Sequence, residues 1–390
     1  MHVHSILSAL ALSCWLGLPN AAAADPLEPW KTGVTIKRVS PEVEQHSMHS
    51  YFSTCPESPD GKYVLFFTSK AADGQLGEVR LRERATGKER VLAEKVHVED
   101  AHRVACQQWV SQGKRVVYHG QRNDQWYVAC VDVATGEQRI VAQDRLAGWG
   151  QPHSDIVPLY GLHWNPGPHR NLELLNVVTG EIRTVLTAEA VAAAYPEKIK
   201  AAFGERPISI FFSTLSPNEE RIFFKLATPA GGDPRSKQAS DRKGLVCYSL
   251  AEKKFLFMND RWGHPSWHHN SRTIVELGNQ LFDSNNGEVT RIADLPKFRG
   301  DHPSVSPNGQ LIVTDTTMDR LGGDAKHWAV VLFDVRGKSH HIVHQFDHSQ
   351  GARSWRPSHP HPYFSPDGRR IYFNTSSGPW TQLHVAELPE

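Results

Sequence analysis

Short apolar runs set off by polar turns recur along this chain. The clearest follows a Ser-Pro-Asp-Gly turn, where Ser58-Pro59-Asp60-Gly61 leads into Tyr63-Val64-Leu65-Phe66-Phe67. Pro and Gly favour a tight turn, and the aromatic and β-branched residues after it read as a buried strand. A second strand is expected over 78–83, ending at Ala85-Thr86-Gly87-Lys88, and a third over 89–92. Turn, strand, strand, Thr-Gly turn and strand make an antiparallel meander.

The same grammar returns. Its heads are Ser111-Gln112-Gly113, Asn165-Pro166-Gly167, Ser216-Pro217-Asn218, His269-Asn270-Ser271, Ser306-Pro307-Asn308-Gly309 and Ser365-Pro366-Asp367-Gly368. Thr135-Gly136-Glu137 and Thr179-Gly180-Glu181 repeat the closing turn. From residue 58, with the fifth head taken at Asn270, the heads are spaced by 53, 54, 51, 54, 36 and 59 residues. Repeats of that length, each a small meander, predict an all-β fold: a seven-bladed β-propeller of four-stranded antiparallel blades. A lone strand near 34–39 is expected to complete the last blade and remove an open edge. Two segments break the pattern. Residues 188–203, rich in Ala, Lys and Glu, predict a short helix, and 231–243, polar with Gly and Pro, a long surface loop.

Composition narrows the class. The 390 residues carry 39% hydrophobic side chains and a net charge of +1, so neither nucleic acid nor an acidic membrane is an expected partner. An apolar run over 6–18 leading to Ala22-Ala23-Ala24 reads as a secretory signal over 1–24, too short to span a membrane. The expected mature protein is one domain over 25–390, a monomer in the periplasm or outside the cell. Export leaves Cys55, Cys106, Cys130 and Cys247, room for one bridge but no disulfide framework.

The 22 histidines and 11 tryptophans direct attention to chemistry. His359 and His361 precede the turn of the last repeat, His302 that of the sixth and His264 that of the fifth. Equivalent positions in adjacent blades point toward one axis, so these four imidazoles are candidate ligands for a divalent metal such as Zn, Mn or Ca, structural or catalytic. The competing reading has each histidine packed on an inner strand and bonded to backbone.

A second cluster lies earlier, with His102 before Gln108-Trp109, His119 after the next strand, then Tyr160, His163 and Arg170, and finally Arg242. Histidines and a tyrosine supply proton transfer, and arginines match a carboxylate bidentately. That set suits β-elimination from a uronic acid, whose weakly acidic C5 proton leaves only when the carboxylate is neutralised. The expected roles are His102 as base, His119 as acid and Tyr160 assisting. Arg170, Arg242, Gln108, Trp109 and His163 are the expected substrate contacts. The ordinary alternative is a solvated or packed side chain at each position.

The segment His359-Pro360-His361-Pro362-Tyr363-Phe364-Ser365-Pro366, with the ending Ala386-Glu387-Leu388-Pro389-Glu390, resembles the oligogalacturonate lyases. The resemblance implies a seven-bladed propeller with a divalent-metal site, and places His302 and His264 at that family's other functional histidines. Where the family has a Gln three residues before the first His, this chain has Arg356. Residues 101–109, Tyr118-His119, Leu159-Tyr160-Gly161 and His169-Arg170 resemble the propeller ulvan lyases and rhamnosyl-glucuronate-cleaving enzymes, which implies His, Tyr and Arg as the working groups.

The expected function is therefore that of a secreted polysaccharide lyase acting on an acidic poly- or oligosaccharide. The rivals are a rhamnosyl-glucuronate glycoside hydrolase and a non-catalytic binding or scaffold propeller.

Overall fold

The computed structural model describes residues 24–99, 103–233, 236–261, 263–276, 278–292, 301–337, 339–352 and 359–390. Antiparallel strands dominate. Five sheets have four strands each, and a sixth has eight, in which two groups of four meet at the single pair His97↔Gln121. The sequence predicts strands over 78–83 and 89–92; they run longer, as Leu76–Glu83 and Glu89–His97.

The turn chemistry explains the repetition. In the first repeat Ser58 Oγ donates to Asp60 Oδ1 at 2.7 Å and accepts from the Tyr63 amide at 2.9 Å. Gly61, at φ +72°, donates its amide to the Ser58 carbonyl at 2.9 Å. Ser365, Asp367 and Gly368 reproduce every one of these contacts, with Gly368 also at φ +72°. Ser216 and Ser306 do so with Asn218 and Asn308 in the acidic position. The side chains thus satisfy the backbone groups that a tight turn would orphan.

Apolar clusters lie between successive sheets. Trp109, Leu65 and Val116 fill the gap between the first two groups of strands, and Leu332, Phe364 and Phe373 that between the last two. Val64 and Phe66 pack against Tyr372 and Leu383, which joins the last sheet to the first. That return contact closes a ring, the arrangement of a propeller. The strand Thr35–Arg38 pairs with Gln382–Glu387, as expected for the 34–39 segment. Beside it, the Arg370 guanidinium donates two hydrogen bonds of 2.8 Å to Glu57, and Tyr372 donates a third, all buried.

The sequence departs from the structure in two places outside the site. Residues 188–203 form two helices, Ala188–Ala194 and Pro196–Phe203. Proline cannot donate its amide, so the first helix ends at Tyr195 and a second starts. The loop expected over 231–243 is shorter, because Ser240–Ser249 is a strand and Ser240–Lys243 pair with residues 226–229. Alternating polar side chains hid that extension. Cys55, Cys106, Cys130 and Cys247 are all buried thiols, with no disulfide between them. No described helix is long and apolar enough to cross a membrane.

Candidate metal and acid/base centre

In three successive late sheets a histidine stands two places before the innermost strand. Ser266–Trp267, Ser304–Val305 and Tyr363–Phe364 are three such strands. Two places before them stand His264, His302 and His361. Cys106 holds the same place before Gln108–Val110. His361 and Cys106 adopt left-handed backbone, at φ +48° and +51°. Left-handed backbone is uncommon outside glycine, and both side chains are buried there.

Ligand atoms of His302, His359 and His361 lie within 4.8 Å of one another. The His302 ring meets that of His361 edge to face at 4.3 Å and that of His359 at 5.1 Å. His302 Nδ1 donates to the Asp315 carboxylate, 2.9 Å from Oδ1 and 3.0 Å from Oδ2. Its Nε2 is thereby left with the lone pair a metal requires. Asp315 Oδ2 also accepts the His361 amide at 2.9 Å, so one carboxylate orients two of the three histidines. Burial pushes the Asp315 carboxyl up to about 7, against the opposing pull of His359 and backbone N–H groups. Three imidazoles converging on one point, with an acidic side chain behind them, suit a borderline divalent cation. His264 lies beside this group and outside it, stacked on His302 at 4.4 Å with Nδ1 bonded to the Asp301 carbonyl at 2.7 Å.

The early cluster is assembled differently. Glu99, buried, pairs with Arg103 and accepts from His163 Nε2 at 3.1 Å. Arg103 Nη1 donates to the Tyr160 hydroxyl at 3.1 Å, and His163 Nδ1 meets Ser240 Oγ at 2.8 Å. The Arg103 guanidinium and the His163 contact hold the Glu99 carboxyl far below its usual range, despite burial. Burial raises the Tyr160 phenol well above its usual value, so it stays protonated. His119 is fully buried, its Nδ1 accepts the Ala147 amide at 3.1 Å, and burial lowers its pKa to about 4. The neutral ring therefore carries its proton on Nε2 and is equipped to donate rather than accept.

Other expected contacts are absorbed by the fold. Gln108 spends its amide on Gly148 and Gly150 backbone, at 2.7 Å each, and Trp109 donates its indole N–H to the Pro56 carbonyl at 2.9 Å. Both are buried between sheets rather than presented to a ligand. Arg170 is half-buried at the head of Leu172–Asn176, and its carbonyl accepts the Ile210 amide. Arg242, on Ser240–Ser249, lies close enough to both His163 and Lys225 for its charge to lower each. His102 and Arg356 lie outside the described residues.

Sequence reasoning missed several members. Asp315 sits in the buried strand Leu311–Thr317, and a lone acid in that run was the available signal. Tyr51 and Phe52 reach the histidines, Tyr51 at 4.6 Å from His361 and Phe52 at 5.0 Å from His302. Both join Trp149, Tyr160, Phe211 and Phe212 in one aromatic cluster. That cluster links the early and late groups, which the sequence kept apart.

Ring closure and converging inner-strand side chains define a β-propeller with a candidate metal centre at its interior. No family model matches the sequence, and no curated protein matches it. Among solved structures, an oligogalacturonate lyase in complex with manganese is similar, at 16% identity over 92% of this chain and 94% of that one, with a TM-score of 0.62. An oligogalacturonate lyase from Vibrio parahaemolyticus gives 14% identity over 92% and 95%, with a TM-score of 0.61. A prolyl endopeptidase shares the architecture less fully, at 13% identity over 87% of this chain and 51% of that one, with a TM-score of 0.52. Identities this low establish a shared fold and leave the activity to the site.

Proposed function

We propose that this chain is an exported, seven-bladed propeller lyase that cleaves uronic-acid-containing poly- or oligosaccharides by β-elimination, with a divalent cation at His302, His359 and His361. Support for seven blades comes from five four-stranded sheets and an eight-stranded one that counts as two. Support for export comes from the signal-like sequence over 1–24. The reading is carried by one observation, the three-histidine group backed by Asp315. It is supported by the likeness in fold to an oligogalacturonate lyase in complex with manganese.

A cation held there would act as a Lewis acid toward a uronate carboxylate, easing loss of the neighbouring C5 proton. The chain's own residues do the rest. Arg242 adds a fixed positive charge for the carboxylate, and His119 Nε2–H is the candidate donor to the leaving O4. Tyr51 packs on Trp149 and Phe212 and meets His361 edge to face at 4.6 Å, so buried aromatic rings back the histidine centre.

The test is to incubate the purified protein with oligogalacturonate, ulvan and rhamnosyl-glucuronate glycans and follow the absorbance of the new C4–C5 double bond, before and after chelation. Absorbance that disappears on chelation and returns with Mn²⁺ is the expected result. Sugar release without absorbance would mean a hydrolase, and binding without turnover a non-catalytic propeller.

A further inference from the structure

We infer that Asn374 is a positioning residue that ties the histidine centre to the seam between the first and last sheets, so that a cation bound there holds the ring shut. The assignment rests on the cation part of the lyase reading. Asn374 and Asp315 hold one place in two successive repeats, each nine residues after the serine that heads its turn, Ser365 and Ser306. Both are buried. In each, a side-chain oxygen accepts the backbone amide of a histidine from the next sheet around the ring. Asp315 Oδ2 takes the His361 amide at 2.9 Å, and Asn374 Oδ1 takes the His49 amide at 3.2 Å. Phe67 and Lys225, nine residues after Ser58 and Ser216, offer no acceptor oxygen. Among these four repeats the device is confined to the two that carry the histidines.

Asn374 also reaches the centre through its backbone, whose amide donates to the Pro360 carbonyl at 2.8 Å, one residue before His361. The His49 ring lies at the Pro360 and His361 carbonyls. Just beyond it, Tyr51 meets the His361 ring at 4.6 Å and Phe52 meets that of His302 at 5.0 Å. In the other direction the chain runs directly into the seam, where the strand His46–Met48 is stitched to the last sheet. The Thr381 amide donates to His46 Nδ1 at 3.0 Å, the Ser47 amide to the Thr381 carbonyl at 2.9 Å, and the Leu383 amide to Ser47 Oγ at 3.1 Å. Residues 46–52 thus join the closure of the ring at one end to the histidine rings at the other.

The energetic consequence follows from linkage. His302 belongs to the last sheet but one, and His359 and His361 to the last. When the seam parts, Asn374 loses the His49 amide, and Tyr51 and Phe52 leave the histidine rings they pack against. The open ring therefore holds its ligands less firmly than the closed one. A cation that binds the closed form better shifts the equilibrium toward closure by that difference in affinity, and the coupling is reciprocal. Asn374 carries the coupling because its side chain meets the first sheet while its backbone meets the histidine segment.

The experiment uses the mature full chain with Mn²⁺ alone as the probe, at about 100 times each protein's own Kd, and compares amide hydrogen exchange with and without it. In the wild type the Ser47, Thr381 and Leu383 amides should exchange up to about 100-fold more slowly with the cation bound, while those of the strand Arg221–Pro229, in another sheet, change by less than about threefold. Asn374→Leu should bring the seam's factor below about threefold, and Asn374→Asp, which keeps the acceptor oxygen, should restore it. Should melting curves show that Asn374→Leu does not fold, Asn374→Ser, whose side chain is too short to reach His49, is the milder variant, with the same loss expected. Equal slowing throughout the chain, none at the seam, or full slowing in Asn374→Leu overturns the assignment and leaves the lyase reading to its absorbance assay. A wild type that makes no unsaturated product while its seam still tightens with Mn²⁺ removes the lyase reading and keeps this one. A wild type that binds no Mn²⁺ removes the cation centre and this assignment with it.

Discussion

Asp315 accepts a hydrogen bond from the His302 ring at 2.9 Å and from the His361 backbone amide at 2.9 Å, so a single carboxylate sets the direction of one ligand and the backbone of another. Such outer partners of metal-binding histidines typically govern affinity by 10–100-fold.

Asp315→Asn keeps the shape and loses the negative charge behind His302. Binding of Mn²⁺ or Zn²⁺ measured by calorimetry should weaken by about 10–100-fold, with the melting temperature of the apo protein little changed. Unaltered affinity would mean that the cation is not held through His302.

Glu57 and Arg370 form a buried bidentate pair, with side chains 1% and 9% exposed. Glu57→Gln removes the buried carboxylate and leaves Arg370 only the more exposed Asp367 and Glu387 where the last sheet meets the first, at a cost of up to about 3–5 kcal/mol. Urea unfolding should show a lower midpoint. Removing both partners together with apolar residues of similar volume should recover much of the loss.

His119 has its pKa lowered from 6.5 to about 4 by burial. Between those values the unfolded chain binds a proton that the folded ring refuses. Its contribution is therefore complete above pH 6.5 and declines as the pH falls toward 4, by about 1.4 kcal/mol per unit at most. His119→Gln, whose amide oxygen can still accept from Ala147, should flatten stability against pH in that window. An unchanged slope would place the acid sensitivity elsewhere.

Gln108 bridges two backbone groups of the neighbouring sheet, at 2.7 Å each. Gln108→Ala should cost about 1–3 kcal/mol of stability, because it leaves buried backbone groups unpaired. Its KM for oligogalacturonate should equal that of the wild type, whereas a substrate contact would raise it.

The repeats were legible because each copy of Ser-Pro-Asp-Gly, or its Asn variant, is a self-contained set of side-chain-to-backbone bonds. Local chemistry of that kind survives in a linear reading. His302, His359 and His361 were legible for a related reason, since their place relative to the turn fixed their place just ahead of the inner strand. Tyr51 and Phe52 were not. Each is an ordinary residue in its own segment, and its importance arises from neighbours far away in the chain. Gln108 and Trp109 misled for the converse reason: polar and aromatic tips that suit a ligand also suit the joint between two sheets.

The strand Thr35–Arg38 finds its partner in Gln382–Glu387, almost the whole chain away. A polypeptide made from its N-terminus carries the first half of that joint with nothing to pair against until residues 382–387 have been made. Closure is then the last event of folding, and until it happens both the Glu57 carboxylate and the outer edge of the final sheet remain open to water. A chain shortened by even its final ten residues would be left with a permanent seam, prone to pair with the same exposed edge on another copy.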